Sequence, residues 1–307
     1  MNNKKEIINE FTGKDYLNAT GDIPYGMMND YIFRIVFQKN KYALKGLLCS
    51  LLGLEDDRIV GLRIVNEVTP GVRITDKEYR LDIVVELDDG TTIDLEMQKD
   101  NYDNWQYRSL SYLCREFDSL DHGEDYSEVK PVYQVGFLDF TLFEDHPEFF
   151  GKYQLRNARD NYLYTDRFNL IVVSLNQIKL ATSDDIACGI DQWARLFKSK
   201  TWEDIKMVAS NNKYMTSAVE TVYLTNEDKN AIKIARERED FIRLQAYKDA
   251  KLKELEESNA AMEAKIASKE AEITSIKAEN ADKDATIADK DAEIARLKAE
   301  LDNLKNR

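Results

Sequence analysis

The clearest pattern along the chain is a period-two alternation of apolar and polar residues between Arg80 and Gln98. The apolar positions on both sides of the Asp88-Asp89-Gly90 triplet are Leu81, Ile83, Val85, Leu87, Ile93, Leu95 and Met97. An alternation of this kind, rich in β-branched residues, is typical of strands with one buried face. The stretch is therefore predicted to form a β-hairpin.

The length of the turn decides which residues of the hairpin face each other. A two-residue turn at Asp89-Gly90 would place apolar residues opposite polar ones across the ladder. A three-residue loop, with Gly90 in the left-handed conformation of a G1 bulge, instead pairs Leu87 with Thr91. Because a one-residue slip would bury the wrong face, the bulged register is the one we expect.

The bulged register brings two carboxylates together on the polar face of the hairpin. Asp82 lies directly opposite Glu96, and Gln98 is one step along the same face. Residues in this relation have Cβ atoms about 5 Å apart, and like charges there repel each other. Such a pair favours a divalent cation between the two carboxylates, and hard oxygen ligands suit Mg²⁺ or Mn²⁺. The alternative is a polar face in contact with water, which Glu86 and Asp94 on the same face support.

The elements around the hairpin predict an α/β fold. Before it we expect helices over Asn29–Phe37, with Asn29 as N-cap, and Lys41–Leu52, followed by a strand over Ile59–Val68. After it we expect a helix over Trp105–Phe117, strands over Val132–Phe143 and Phe168–Leu175, and helices over Asp184–Lys198, Trp202–Ser210 and Tyr214–Leu224. This order predicts a mixed β-sheet with helices packed against it.

A heptad repeat occupies the C-terminal part of the chain, where helix-forming residues run without interruption from Glu227. The a positions are Leu252, Asn259, Ile266, Ile273, Asn280, Ile287, Ile294 and Leu301, and the d positions are Leu255, Met262, Lys269, Ile276, Lys283, Lys290, Leu297 and Leu304. Isoleucine at a and leucine at the outer d positions favour a parallel homodimeric coiled coil over residues 252–304. A solitary charged helix is the alternative. We accordingly predict one domain over residues 1–226 and a long helix over 227–307.

Composition limits the classes of function. The formal net charge is −14, which argues against a simple nucleic-acid binder, whose surface is usually basic. The three cysteines form no CxxC pair, which predicts reduced thiols in a cytoplasmic protein. No apolar run approaches the length of a membrane span, and the N-terminus has no apolar core of a signal peptide.

Asp82, thirteen intervening residues and then Glu96-Met97-Gln98 resemble the core motif of the PD-(D/E)XK nucleases, in an E-x-Q form. More narrowly, the chain resembles the PD-(D/E)XK nuclease family transposases, also called recombination-promoting nucleases. Further matching segments are Asn29–Arg34 with Phe37, Arg80–Asp82, Arg108–Tyr112 and Lys130–Val132. The resemblance extends from about Tyr25 to Phe143, with a weaker similarity to about Arg238.

The resemblance implies a restriction-endonuclease-like mixed β-sheet core with flanking helices, and a metal-dependent endonuclease that hydrolyses phosphodiester bonds of mobile DNA. Mg²⁺ or Mn²⁺ would be held by Asp82, Glu96 and the main-chain carbonyl of Met97. Gln98 stands where most of these enzymes carry lysine; glutamine can orient water but brings no positive charge.

Two further residues gain a role from the resemblance. Asp30 would be a third acidic group near the metal, or else a carboxylate favoured by the helix dipole alone. Arg108 would hold a DNA phosphate, or else lie on a solvated helix face. The alternative function is a catalytically weak or inactive nuclease fold that serves as a coiled-coil interaction module.

Overall fold

Residues 14–67, 82–101, 104–118 and 125–305 are described by the computed structural model of the chain. The chain divides into two compact units, Met1–Asp240 and Phe241–Arg307. The division falls after the first turns of the last helix, later than the boundary predicted at residue 226. Ala231 and Ala235 of that helix are buried in the first unit.

Six strands of the described residues form one mixed sheet in the order β1-β2-β3-β4-β6-β5. They are β1 (Leu62–Ile64), β2 (Ile83–Leu87), β3 (Thr92–Gln98), β4 (Val132–Leu138), β5 (Phe150–Gln154) and β6 (Phe168–Ser174). The central strands β3, β4 and β6 pair in parallel, whereas β1, β2 and β5 run antiparallel to their neighbours. The predicted α/β class, a mixed sheet with helices packed against it, is confirmed.

The hairpin formed by β2 and β3 has the bulged register. The Leu87 N–H donates to the Thr91 carbonyl at 2.9 Å, and Ile83 pairs with Leu95 at the other end of the ladder. Gly90 has a φ of 85°, the left-handed conformation that a G1 bulge requires and that glycine adopts without strain. The predicted three-residue loop is therefore confirmed, although Arg80 and Leu81 lie outside the described residues.

The helices of the first unit flank the sheet, and the last helix begins in this unit and forms the second. They are α1 (Asp30–Lys39), α2 (Lys41–Leu52), α3 (Trp105–Phe117), α4 (Ser183–Cys188), α5 (Ile190–Lys198), α6 (Trp202–Ala209), α7 (Lys213–Glu227) and α8 (Lys229–Lys305). The side chain of Asn29 accepts from the Ile32 N–H, as an N-cap does. The single helix expected over Asp184–Lys198 is wrong, because Gly189 with a φ of 78° ends α4 and begins α5.

Several strand predictions need correction. The strand expected over Ile59–Val68 is formed only by β1 among the described residues, and Val68 lies outside them. The strand from Val132 ends at Leu138 rather than at Phe143. Strand β5 was not predicted, because Gly151 and Lys152 weaken its pattern. A Cβ atom at Gly151 would come 2.3 Å from the Glu148 carboxylate, so a larger residue there would have to displace the end of that side chain.

The two faces of the sheet are covered differently. The apolar face of β2 and β3 packs into the main core, together with an aromatic cluster of Phe33, Phe37, Phe137, Trp193 and Phe197. On the other face, α3 packs against β4 and β6. Trp105 of α3 lies on Gly136 of β4 and is buried there. Helix α3 therefore covers the polar face of the sheet, which carries Glu96.

The second unit consists of α8 residues alone. The helix continues without a break to Lys305, as predicted from the heptads. Its apolar a and d side chains remain about half exposed, for example Ile273 at 51% and Ile294 at 48%. In the described part of the chain, no helix is both long and apolar enough to cross a membrane.

Candidate active site

The candidate site lies at the open end of the β2–β3 hairpin, away from its turn. Asp82 comes immediately before β2 and is 4% exposed, and Glu96 is half-buried in β3. The ladder pairs Ile83 with Leu95, so the next step of the same register places Asp82 beside Glu96. Two carboxylates are thus brought to one end of the polar face, where the sequence pattern predicted them.

Arg108 of α3 reaches back to this end of the sheet. Its Nη2 donates to Glu96 Oε1 at 2.6 Å and to Gln98 Oε1 at 2.8 Å. A charge-assisted hydrogen bond of this length is stronger than one between neutral groups. Arg108 is therefore not a solvated side chain on the helix surface, and it places a cation within the Glu96-Met97-Gln98 motif.

Gln98 is held by two protein groups. Its Oε1 accepts from Arg108, and its Nε2 donates to the Asp100 carbonyl at 2.9 Å. A carbonyl oxygen has two lone pairs, so Oε1 can accept a second hydrogen bond from a water. The amide is consequently fixed in orientation by the loop on one side and by α3 on the other.

Arg34 is a functional candidate that sequence reasoning missed. It belongs to α1, is 1% exposed, and donates through its two terminal nitrogens to the main-chain carbonyls of Asp82 and Asn66. Burial lowers the pKa of the Arg34 guanidinium, while the nearby carboxylates of Asp82, Asp94 and Glu67 oppose that shift. A charged residue inside the apolar run of α1 was the available signal, because arginine is rarely buried without partners.

The alternative of a polar face in contact with water does not hold at Asp94. The residue is fully buried, and it lies on the face of the sheet against which α3 packs. Gln134 of β4 pairs with Asp94 in the parallel ladder and is 1% exposed. Neither Oε1 nor Nε2 of Gln134 has a hydrogen-bond partner among the described residues. Glu86, the other acid of this face, forms a 2.6 Å ion pair with Arg63 of β1.

Asp30 lies in the first turn of α1 and forms an ion pair with Arg238 of α8 at 2.8 Å. Its other carboxylate oxygen accepts from the Tyr31 N–H. Burial raises the pKa of the Asp30 carboxyl, and Arg238 partly offsets the increase. The described contacts of Asp30 thus lie with α1 and α8, while Asp82, Glu96, Gln98 and Arg108 come together at the hairpin.

The donor set at the hairpin fits a small divalent cation. Asp82, Glu96 and the Met97 carbonyl offer oxygen atoms only, which is the ligand type that Mg²⁺ and Mn²⁺ prefer. Among the described residues, no group of three or more His, Cys, Asp or Glu side chains is placed to hold a metal. A cation here would depend on two carboxylates with a main-chain oxygen, and it would share Glu96 with Arg108.

Comparison with known proteins gives one finding. A family model described as PD-(D/E)XK nuclease family transposase matches residues 27–252, which include all of the candidate site. No curated protein and no solved structure matches the chain.

Proposed function

We propose, since the chain belongs to the PD-(D/E)XK nuclease family transposases, that it is a metal-dependent endonuclease that hydrolyses phosphodiester bonds of DNA during transposition or recombination. The observation that carries the proposal is the convergence of Asp82, Glu96, Gln98 and Arg108 at the end of one hairpin. This set offers oxygen ligands for a metal, an amide for a water and a cation for a phosphate.

The metal would be Mg²⁺ or Mn²⁺, held by Asp82, Glu96 and the carbonyl of Met97. When bound, such an ion lowers the pKa of a coordinated water and neutralises charge on the phosphate. Asp82 is nearly inaccessible to solvent, and its main-chain carbonyl accepts hydrogen bonds from Arg34 and Asn66, which anchor the residue before any ligand arrives. A ligand group that is already in place loses little entropy when it binds.

Gln98 and Arg108 together would replace the lysine of the more common motif. Gln98 orients the attacking water through its fixed carbonyl oxygen, and Arg108 supplies the positive charge that glutamine lacks. The guanidinium has five N–H donors, and those beyond Nη2 can reach a phosphate oxygen. Preorganised donors of this kind stabilise the charge that develops in the transition state.

Asp30 is the remaining candidate in the catalytic set. Its carboxylate is engaged by Arg238, so recruitment to a metal would require that ion pair to break. We therefore assign the metal to Asp82, Glu96 and Met97 first, and keep Asp30 as a third acid only if its substitution abolishes cleavage without lowering stability.

The decisive experiment incubates the purified protein with supercoiled plasmid and linear DNA in the presence of Mg²⁺, Mn²⁺ or EDTA. The isosteric variants Asp82→Asn and Glu96→Gln are expected to lose cleavage. Glu86→Gln is the matched control, because Glu86 lies on the same face of β2 but is paired with Arg63. Cleavage by Asp82→Asn and Glu96→Gln at the wild-type rate would contradict the assignment.

A second function, an inactive nuclease fold that acts in binding other proteins, is favoured by the net charge of −14 and by glutamine at the lysine position. Thermal unfolding separates the two functions. An intact two-carboxylate site gains stability with added Mg²⁺ or Mn²⁺, by RT ln(1 + [L]/Kd), whereas a site that binds no metal does not. Asp82→Asn should remove this gain.

The proposed partner in assembly is a second copy of the chain, joined through residues 252–304. Two observations support a parallel, in-register pair. The a and d side chains are about half exposed on a single helix, for example Ile287 at 56%. In addition, each g residue of one helix would face the e residue that lies five positions later in the sequence of the second helix. Three such pairs are attractive, namely Lys265 with Glu270, Glu272 with Lys277, and Glu293 with Lys298, and one, Glu279 with Asp284, is repulsive.

A further inference from the structure

The edge strand β5 continues beyond the sheet as a two-stranded ribbon over residues 150–164. Arg156 pairs with Leu163 in an antiparallel bridge, and the Tyr164 N–H donates to the Leu155 carbonyl at 3.0 Å. This ribbon lies at the end of the sheet opposite to Gln98, because β5 runs antiparallel to β6. It is not part of the site described above.

One face of the ribbon is aromatic and open. The register places Leu155 beside Tyr164, with Tyr162 two residues away on the same face. Leu155 is 51% exposed, Tyr164 79% and Tyr162 75%. Exposed large side chains grouped in this way mark a surface that binds another molecule.

The tip and the other face of the ribbon are basic. Residues 150–164 contain three cations, Lys152, Arg156 and Arg159, and one acid, Asp160, in a chain with a net charge of −14. Arg156 is held rigidly, because it donates to the Asn161 carbonyl at 3.1 Å and to Gln154 Oε1 at 2.8 Å. Lys152 and Arg159 are exposed, and neither side chain forms a hydrogen bond or an ion pair with another described residue.

The ribbon also borders an open depression of about 630 Å³, lined by residues 152–154 and 156–161. Its loop is fixed by short-range hydrogen bonds, in which the Asn157 side chain accepts from the Arg159 N–H and the Asp160 side chain accepts from the Tyr162 N–H. The cations and the tyrosines are therefore presented on a preformed scaffold.

We propose that this ribbon is a DNA-binding arm, whose cations contact phosphates and whose tyrosines stack on unpaired bases. Phosphate contacts supply affinity that is independent of sequence, and aromatic side chains stack on any base. The choice of DNA as the ligand rests on the proposed function. The ribbon also offers a local excess of positive charge to a DNA strand, although the chain as a whole is acidic.

The arm lies about 22 Å from Glu96, measured along the sheet from Glu96 to Arg156. Gly151 lies in the same row of the sheet as Glu96, three strands away, which is about 14 Å. Arg156 is five residues further along, about 17 Å at the rise of an extended strand.

The test measures binding of labelled single-stranded and duplex oligonucleotides by fluorescence anisotropy, in EDTA so that no cleavage occurs. The variant Lys152→Glu with Arg159→Glu should bind single strands at least about tenfold more weakly and reduce the salt slope by about 1.4, the loss of two phosphate contacts. The matched control is Arg58→Glu with Lys179→Glu, which makes the same change in net charge at exposed cations elsewhere in the first unit. It should bind as the wild type does.

A second pair of variants tests the aromatic face. Tyr162→Ala with Tyr164→Ala should weaken binding of single strands by about five- to a hundredfold for each stacked base, and should weaken duplex binding less. Tyr162→Phe with Tyr164→Phe keeps the rings and should restore the affinity.

Three results would overturn the proposal. If the wild type binds DNA and all ribbon variants bind equally well, the arm is elsewhere and the proposed nuclease function stands. If the wild type binds no DNA in EDTA, the arm is refuted, and the plasmid assay with Asp82→Asn decides the nuclease function separately. A loss of affinity that is equal in the charge variant and in its matched control would show a general charge effect and would likewise refute the arm.

Discussion

Gln134 places a polar amide at a position where its burial is unfavourable. Its amide is buried beside Asp94 and has no hydrogen-bond partner among the described residues. An unsatisfied buried amide costs about 1–3 kcal/mol, so replacing it with an apolar side chain of similar shape should stabilise the fold. We expect Gln134→Met to raise the free energy of unfolding by about 1 kcal/mol in urea denaturation.

The control for this prediction is Gln154→Met. The Gln154 amide donates to Asn169 and accepts from Arg156, so its loss should lower the free energy of unfolding. If Gln134→Met also destabilises the protein, the Gln134 amide has a partner in solution, such as an ordered water. A gain in stability accompanied by a loss of DNA cleavage would indicate that the amide is retained for catalysis.

Asp30 is a second single residue that leads to a prediction, in this case for the pH dependence of the free energy of unfolding. Burial raises its pKa above the ordinary value of 3.8, so the folded state binds more protons than the unfolded state between the two pKa values. The contribution of Asp30 to the free energy of unfolding therefore falls as the pH rises through that window. Asp30→Asn removes this dependence. The difference between variant and wild type, measured by urea denaturation at a series of pH values upward from about 4, should grow and then level off. A constant difference over that range would contradict the raised pKa.

The close packing of α3 against β4 depends on Gly136. A Cβ atom at this position of β4 would come 2.2 Å from Cζ2 of Trp105, so only glycine lets α3 lie this close to the sheet. Gly136→Ala must displace Trp105 and with it the helix that carries Arg108. We expect a loss of about 1–3 kcal/mol in the free energy of unfolding, together with reduced DNA cleavage.

The control for Gly136 is Gly26→Ala. The added Cβ at position 26 would lie 3.4 Å from the Ser199 carbonyl, close to an ordinary van der Waals contact, so only a small change is expected. Equal stability of the two variants would show that α3 can shift without cost. Retained cleavage in Gly136→Ala would show that Arg108 does not need its described position.

At the scale of the whole molecule, the heptads over residues 252–304 predict a dimer. Ile287→Asp with Ile294→Asp would place carboxylates in the seam, where unpaired charges cannot be buried. Sedimentation of the full chain should therefore give a dimer for the wild type and a monomer for this variant. Ala288→Asp with Ala295→Asp adds the same charges at outer b positions and should leave the dimer intact. A monomeric wild type at tens of micromolar would refute the coiled coil.

The three lysines at d positions bear on the same assembly. Lys269 pairs with Glu272 and Lys283 with Glu279 on a single helix, so these lysines have local partners without a second chain. Replacing Lys269, Lys283 and Lys290 with leucine should raise the melting temperature of the full-length dimer, since leucine at d buries apolar surface in the seam. An unchanged melting temperature would argue that these positions face solvent.

Local patterns were sufficient for the elements whose geometry depends on neighbours in the sequence. The register of the hairpin follows from a side-chain period of two and from the one residue that adopts a left-handed conformation at little cost, Gly90. The start of α1 follows from Asn29, and the length of α8 follows from its uninterrupted helix formers. For the same reason the positions of Asp82, Glu96 and Gln98 on one face were predictable.

Tertiary structure decided what lies against those faces. The burial of Asp94 depends on what covers its face of the sheet, the ion pair of Asp30 depends on Arg238, which is 208 residues away, and the position of Arg34 depends on the carbonyl of Asp82. A pattern of polar and apolar positions specifies which side of an element is polar, but not whether water, a helix or a distant charge covers it. The sequence by itself therefore determined the faces and the order of the elements. Only the packing of those elements decided which polar groups are buried, because burial is a property of two surfaces in contact and not of one strand.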